Sequence, residues 1–106
     1  MAKGYWIGHV DVHDLERYKS YITANAEVFS RYGGRFVVRG GERLVKEGNS
    51  RARTVVIEFQ DYATAVACYE STEYELVKAK RDCCSTADIL IIEGYDGPQP
   101  GMSSPA

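Results

Sequence analysis

Residues 32–41 read Tyr-Gly-Gly-Arg-Phe-Val-Val-Arg-Gly-Gly, a helix stop, a short strand and a glycine pair in immediate succession. Gly33 supplies the left-handed residue that closes a helix. Arg35–Arg39, with Phe36, Val37 and Val38 at its centre, predicts a strand. Gly40-Gly41 then permits a bulge or bend. Helix before and sheet after this run make the chain α+β.

The flanking sequence fills in the order. Residues 4–12 (Gly-Tyr-Trp-Ile-Gly-His-Val-Asp-Val) are aromatic and β-branched over a strand's length. Asp14 has the character of an N-cap, with Glu16 in the first turn favoured by the helix dipole. From Leu15, residues Tyr18, Ile22, Phe29 and Tyr32 follow helical spacing, with Tyr21 and Val28 beside them. After the glycine pair, Leu44–Glu47 is expected to continue the extension. Gly48-Asn49-Ser50 is a turn signal, and Arg53–Phe59 is the third strand. Asp61 can cap a second helix presenting Tyr62, Val66 and Tyr69 on one face. Ser71 or Thr72 can cap a further short helix carrying Tyr74, Val77 and Ala79, and Thr72 with Glu75 has capping-box spacing. Residues 88–95 predict the fourth strand. The order is β-α-β-β-α-β, a ferredoxin-like arrangement with a four-stranded antiparallel sheet. Residues 1–96 form one domain, and 97–106, with all three prolines, form a mobile or draped tail.

Helices in this topology cover one sheet face only. Val55, Val56, Ile57 and Phe59, with Ile89, Leu90, Ile91 and Ile92, are apolar at both parities, the pattern of strands buried on both faces. A chain of 106 residues has no second domain to supply the cover, so a symmetric homodimer through the open face is expected. A net charge of −2 gives no electrostatic reason for a nucleic-acid or anionic-membrane partner. No apolar run is long enough to span a bilayer. Gly8, His9, Asp11 and His13 interrupt any signal-peptide core. Cys68, Cys83 and Cys84 lack metal-ligand spacing and read as reduced thiols of a cytoplasmic protein, although the adjacent pair could form a vicinal disulfide.

Several segments together resemble one family: Gly4-Tyr5-Trp6-Ile7, His9-Val10-Asp11-Val12, Tyr32-Gly33-Gly34-Arg35-Phe36, Val38-Arg39-Gly40-Gly41, Arg53–Phe59, Cys68-Tyr69, Ser71 and Glu73-Tyr74. The chain is similar, over about residues 3–96, to the small bacterial family of domain of unknown function 1330, within the dimeric α+β barrel superfamily. The resemblance implies ferredoxin-like protomers paired sheet to sheet, and it brings no activity with it. Family members often have proline where Leu15 stands, a departure that leaves the Asp14 cap in place. The superfamily includes cofactor-independent monooxygenases, lactone isomerases, haem enzymes and ligand-sensing domains, so the fold alone selects none of these.

Among residues able to carry chemistry, His9 lies mid-strand in apolar surroundings. It is either a general acid or base, or a hydrogen-bonded core or interface histidine. A hairpin turn at residues 48–50 would leave Arg39 near Glu58. Such a pair is either self-satisfying or a site in which Arg39 binds a carboxylate and Glu58 acts as base or orients His9. Arg35 shares Arg39's parity and could join an anion site or meet solvent. Tyr18, Tyr69 and Tyr74 are core tyrosines that could also line a cavity for a small organic ligand between helices and sheet. His9 and Asp11 would begin a metal site, with no third ligand nearby, and phosphate-loop, dinucleotide and zinc motifs are absent. The sequence therefore offers a cofactor-independent small-molecule enzyme of isomerase or monooxygenase type, without metal or cofactor, against a non-catalytic ligand-binding or structural dimer.

Overall fold

A computed structural model describes residues 2–101. The elements are β1 (Gly4–Val12), α1 (Leu15–Arg31), β2 (Arg35–Arg39), β3 (Arg53–Phe59), α2 (Tyr62–Glu70), α3 (Thr72–Asp82) and β4 (Ser85–Glu93). The sheet is antiparallel in the order β2-β3-β1-β4, with the helices on one side. This is the expected α+β ferredoxin-like protomer, its second helical segment split in two.

Local chemistry sets the helix limits. Asp14 accepts from the Arg17 amide (3.3 Å) and Asp61 from the Thr64 amide (2.7 Å). Ser71 rather than Thr72 caps α3, accepting from the Tyr74 amide at 3.0 Å. Gly33, at φ 72, closes α1 while the Gly34 amide returns to the Phe29 carbonyl (2.8 Å).

The faces are sorted by β1. Trp6 and Val10 are buried against the helices, whereas Tyr5, Ile7, His9 and Asp11 alternate to the other side. Trp6 is the centre of the core. Its ring meets Phe29, Phe59, Tyr69 and Tyr74 with centroids 5.0–5.7 Å away, and its indole N–H donates to the Ala65 carbonyl (2.7 Å). The expected face of α2 differs: Ala65 and Cys68 are buried and Tyr62 is exposed. The small residues point inward because β1 passes so close. A Cβ on Gly4 would strike the Asp61 carbonyl and stand 2.7 Å from the Tyr62 Cα. Gly4→Ala is therefore expected to cost about 1–3 kcal/mol, read as a lower denaturation midpoint with an unchanged slope.

Other expectations give way for identifiable reasons. The register shifts between Phe36 and Val38, so the bulge lies at Val37 and not at Gly40-Gly41. Gly40 and Gly41, at φ 71 and 91, instead end β2. Residues 40–52 form an irregular connection, without strand at Leu44–Glu47 or a tight hairpin at residues 48–50. Arg43 holds it by donating to the Ala52 carbonyl (2.7 Å), and Asp11 by accepting from the Ala52 amide (2.9 Å). The fourth strand begins at Ser85, three residues early, because Val12↔Ser85 through Gly4↔Glu93 pair without interruption. In the expected tail, the Tyr95 hydroxyl donates to the Pro98 carbonyl (2.8 Å), and residues 102–106 lie outside the described residues.

The open face carries an apolar row across all four strands, Val38–Val56–Ile7–Leu90, with Ile92 beside it. Val38, Leu90 and Ile92 are 40%, 51% and 49% exposed, so strands expected to be buried on both sides are covered by the chain itself on one side only. Among the described residues no helix is long and apolar enough to cross a membrane.

Candidate functional site

A cavity of about 60 Å³ lies between α1, α3 and the helix-facing side of the sheet. Five aromatic rings form its walls: Trp6, Tyr18, Tyr21, Phe29 and Phe36. Its polar lining consists of Asn25, Arg39, Arg53 and Arg81, with the two tyrosines beside them. No aspartate, glutamate or histidine lines it.

The bulge at Val37 explains how Arg39 arrives there. One extra residue reverses parity, so Arg35 and Arg39 fall on opposite faces. Arg39 pairs in register with Val55 on the helix side, where its guanidinium stacks on Phe36 at 4.3 Å. Arg35 pairs with Glu58 on the open side and donates to it from Nε (3.1 Å). The expected Arg39–Glu58 neighbourhood is therefore replaced by Arg35–Glu58. The Tyr5 hydroxyl takes the other Glu58 oxygen at 3.0 Å.

Arg53, at the start of β3, stands over Tyr18 with 5.7 Å from guanidinium to ring centroid. Among the described residues, neither Arg39 nor Arg53 has a carboxylate within ion-pair distance. Arg81 is different. It is 6% exposed, its Nη1 lies 3.5 Å from Asp82, and its Nε donates to the Tyr74 hydroxyl at 3.4 Å. Tyr74 in turn lies 2.8 Å from the Tyr21 hydroxyl. Arginine only donates, so the fully buried Tyr74 hydroxyl accepts from Arg81, and either hydroxyl can donate in the bond between Tyr74 and Tyr21. Burial holds the Tyr18 hydroxyl pKa above its ordinary value, and burial together with Tyr74 does so for Tyr21, so both are protonated at neutral pH.

Asn25 completes the lining and is not among the residues singled out from sequence. It is 6% exposed, and its Oδ1 is buried without a hydrogen bond. Its signal is readable in retrospect: Tyr21, Asn25 and Phe29 are spaced by four, a polar residue set into a buried helical stripe.

The other expected site residues are distributed elsewhere. Tyr18 lines the cavity. Tyr74 stands behind its wall in the hydroxyl chain, and Tyr69 packs between Trp6 and Tyr74. His9 and Glu58 are across the sheet. His9 Nδ1 is 3.1 Å from Thr54 Oγ1, beside a shallow polar hollow with Asp11, Arg51 and Asp88. Arg51 binds both carboxylates at 2.9 Å. The Ala52 amide, then Arg51, hold the Asp11 carboxyl below its usual range. No group of three metal-ligating side chains occurs among the described residues. Burial, with Glu73 adding, pushes the Cys68 thiol up to about 12, which removes it as a nucleophile.

The sequence matches the family described as Domain of unknown function (DUF1330) over residues 3–95. No curated protein matches. Among solved structures, a protein of unknown function from Rhodopseudomonas palustris is 16% identical, over 91% of this chain and 85% of that one, with a TM-score of 0.72. SnoaB, a cofactor-independent oxygenase from Streptomyces nogalater, is also 16% identical, over 94% of this chain and 99% of that one, with a TM-score of 0.65. A Bacteroides thetaiotaomicron protein described as a possible oxidoreductase is 12% identical, over 87% and 97%, with a TM-score of 0.52. At these identities the likeness is one of fold.

Proposed function

For a chain that belongs to the DUF1330 family, we propose a cofactor-independent small-molecule enzyme of isomerase or monooxygenase type, acting on a small organic anion in the helix-side cavity. One observation carries this reading. Three guanidinium groups from β2, β3 and α3 converge on an aromatic cavity lined by no carboxylate. Cations in a partly desolvated site favour the ionised form of an acidic ligand. Isomerisation through an enolate, and direct attack of a carbanion or phenolate on dioxygen, both need that form. SnoaB, with the same fold, is a cofactor-independent oxygenase, which supports the reading by analogy. The protein works as a homodimer through the open face, a reading supported by the apolar row there. Its cytoplasmic setting is supported by three free cysteines.

A specific observation also favours a second reading. With no histidine or carboxylate in its lining, the cavity offers no ordinary general base, and a module that only binds a ready-made anion would need none.

Arg39→Leu/Arg53→Leu tests the common premise. Neither side chain has a carboxylate to strand, so folding is expected to survive. Loss of charge-assisted hydrogen bonds is expected to weaken binding of small organic anions about tenfold to a hundredfold in calorimetric titration. Unchanged binding would contradict the assignment. Turnover of the bound compound selects the enzyme, and its recovery unaltered selects the binding module.

A further inference from the structure

The cavity wall holds a buried polar atom left unsatisfied, on α1. Asn25 has a carbonyl oxygen with no donor. A buried polar atom left unpaired costs about 1–3 kcal/mol. Asn25 is thus destabilising unless a donor occupies the space between it and the arginines.

We infer that the ligand is a hydroxyaryl carboxylate, with its hydroxyl at Asn25 Oδ1 and its carboxylate at Arg39 and Arg53. The inference rests on the cavity being the ligand site and adds the class of compound. A hydroxyl donates, so it answers the unpaired Asn25 Oδ1. A planar ring suits walls made of Trp6, Tyr18, Tyr21, Phe29 and Phe36. Arg39 is exposed and Arg53 half-buried, whereas Asn25 and Arg81 are buried, so the charged end of the ligand stays at the mouth and the hydroxyl end goes inward. Arg81 is already held by Tyr74 and Asp82, which leaves the carboxylate to Arg39 and Arg53.

Calorimetric titration with benzoate, the three hydroxybenzoate isomers and phenol tests this on the wild-type protein. At least one hydroxybenzoate is expected to bind about tenfold more tightly than both benzoate and phenol. Asn25→Leu removes the unpaired acceptor and is expected to fold, while reducing that hydroxyl preference. Benzoate binding as tightly as every isomer would overturn the hydroxyl assignment, and phenol binding as tightly as the best isomer would overturn the carboxylate assignment. Absence of binding by all probes at millimolar concentration would overturn the compound class. The cavity itself would be the wrong site if hydroxybenzoate binding survived Arg39→Leu/Arg53→Leu and was lost in His9→Ala.

Discussion

Ile7→Asp is expected to convert the proposed dimer to monomers while leaving the protomer folded. Ile7 lies at the middle of the apolar row on the open face, between Val56 and Leu90. In a sheet-to-sheet dimer an aspartate there is taken from water without a partner, and twofold symmetry does this twice. Stranding a buried charge costs about 3–5 kcal/mol, so association is expected to weaken by roughly a hundredfold or more. In the separated protomer the same aspartate faces solvent and costs no more than strand propensity, about 1 kcal/mol. Sedimentation equilibrium reads the first effect and chemical denaturation the second. A variant that remains dimeric at wild-type affinity would mean that the open face is not the contact.

Trp6→Ala is expected to produce the largest loss of folding stability. The substitution removes a ring that touches Phe29, Phe59, Tyr69 and Tyr74, at a typical cost of about 3–5 kcal/mol. It also strands the Ala65 carbonyl, for about 1–3 kcal/mol more. A domain of this size has about 5–15 kcal/mol in total, so the thermal midpoint is expected to fall by about 20 °C or more. Trp6→Phe keeps most of the packing and loses the hydrogen bond, and an intermediate fall is expected. Equal stability of Trp6→Ala and the wild type would remove Trp6 from its central place in the core.

The helices and strands were legible because their ends are local events. Asp14, Gly33, Asp61 and Ser71 act within a turn of their own position. The face of each residue on β2 was not legible, because the bulge at Val37 leaves no glycine or proline in the sequence to mark it. That single residue separates Arg35 from Arg39 and breaks the expected Arg39–Glu58 pair. The start of β4 was obscured in a related way. Ser85, Thr86 and Asp88 look like loop, yet they pair with Val12, Asp11 and His9 along β1. The candidate site was legible only in pieces. Tyr18 and Arg39 were readable as cavity residues, but Arg53 and Arg81 come from distant segments and meet only in the fold. Asn25 resembles a surface helix residue until its burial is seen.

The central claim is that this chain holds a small organic anion on the helix side of its sheet and pairs with a second copy through the other side. Native mass spectrometry of gently purified protein addresses both halves, using the wild type, Arg39→Leu/Arg53→Leu and His9→Ala. Two-chain masses are expected throughout, with a small bound molecule in the wild type and His9→Ala that is missing when the two arginines are removed. A monomer mass for the wild type would contradict the pairing. A ligand retained without the arginines and lost without His9 would contradict the cavity and put the site on the open face.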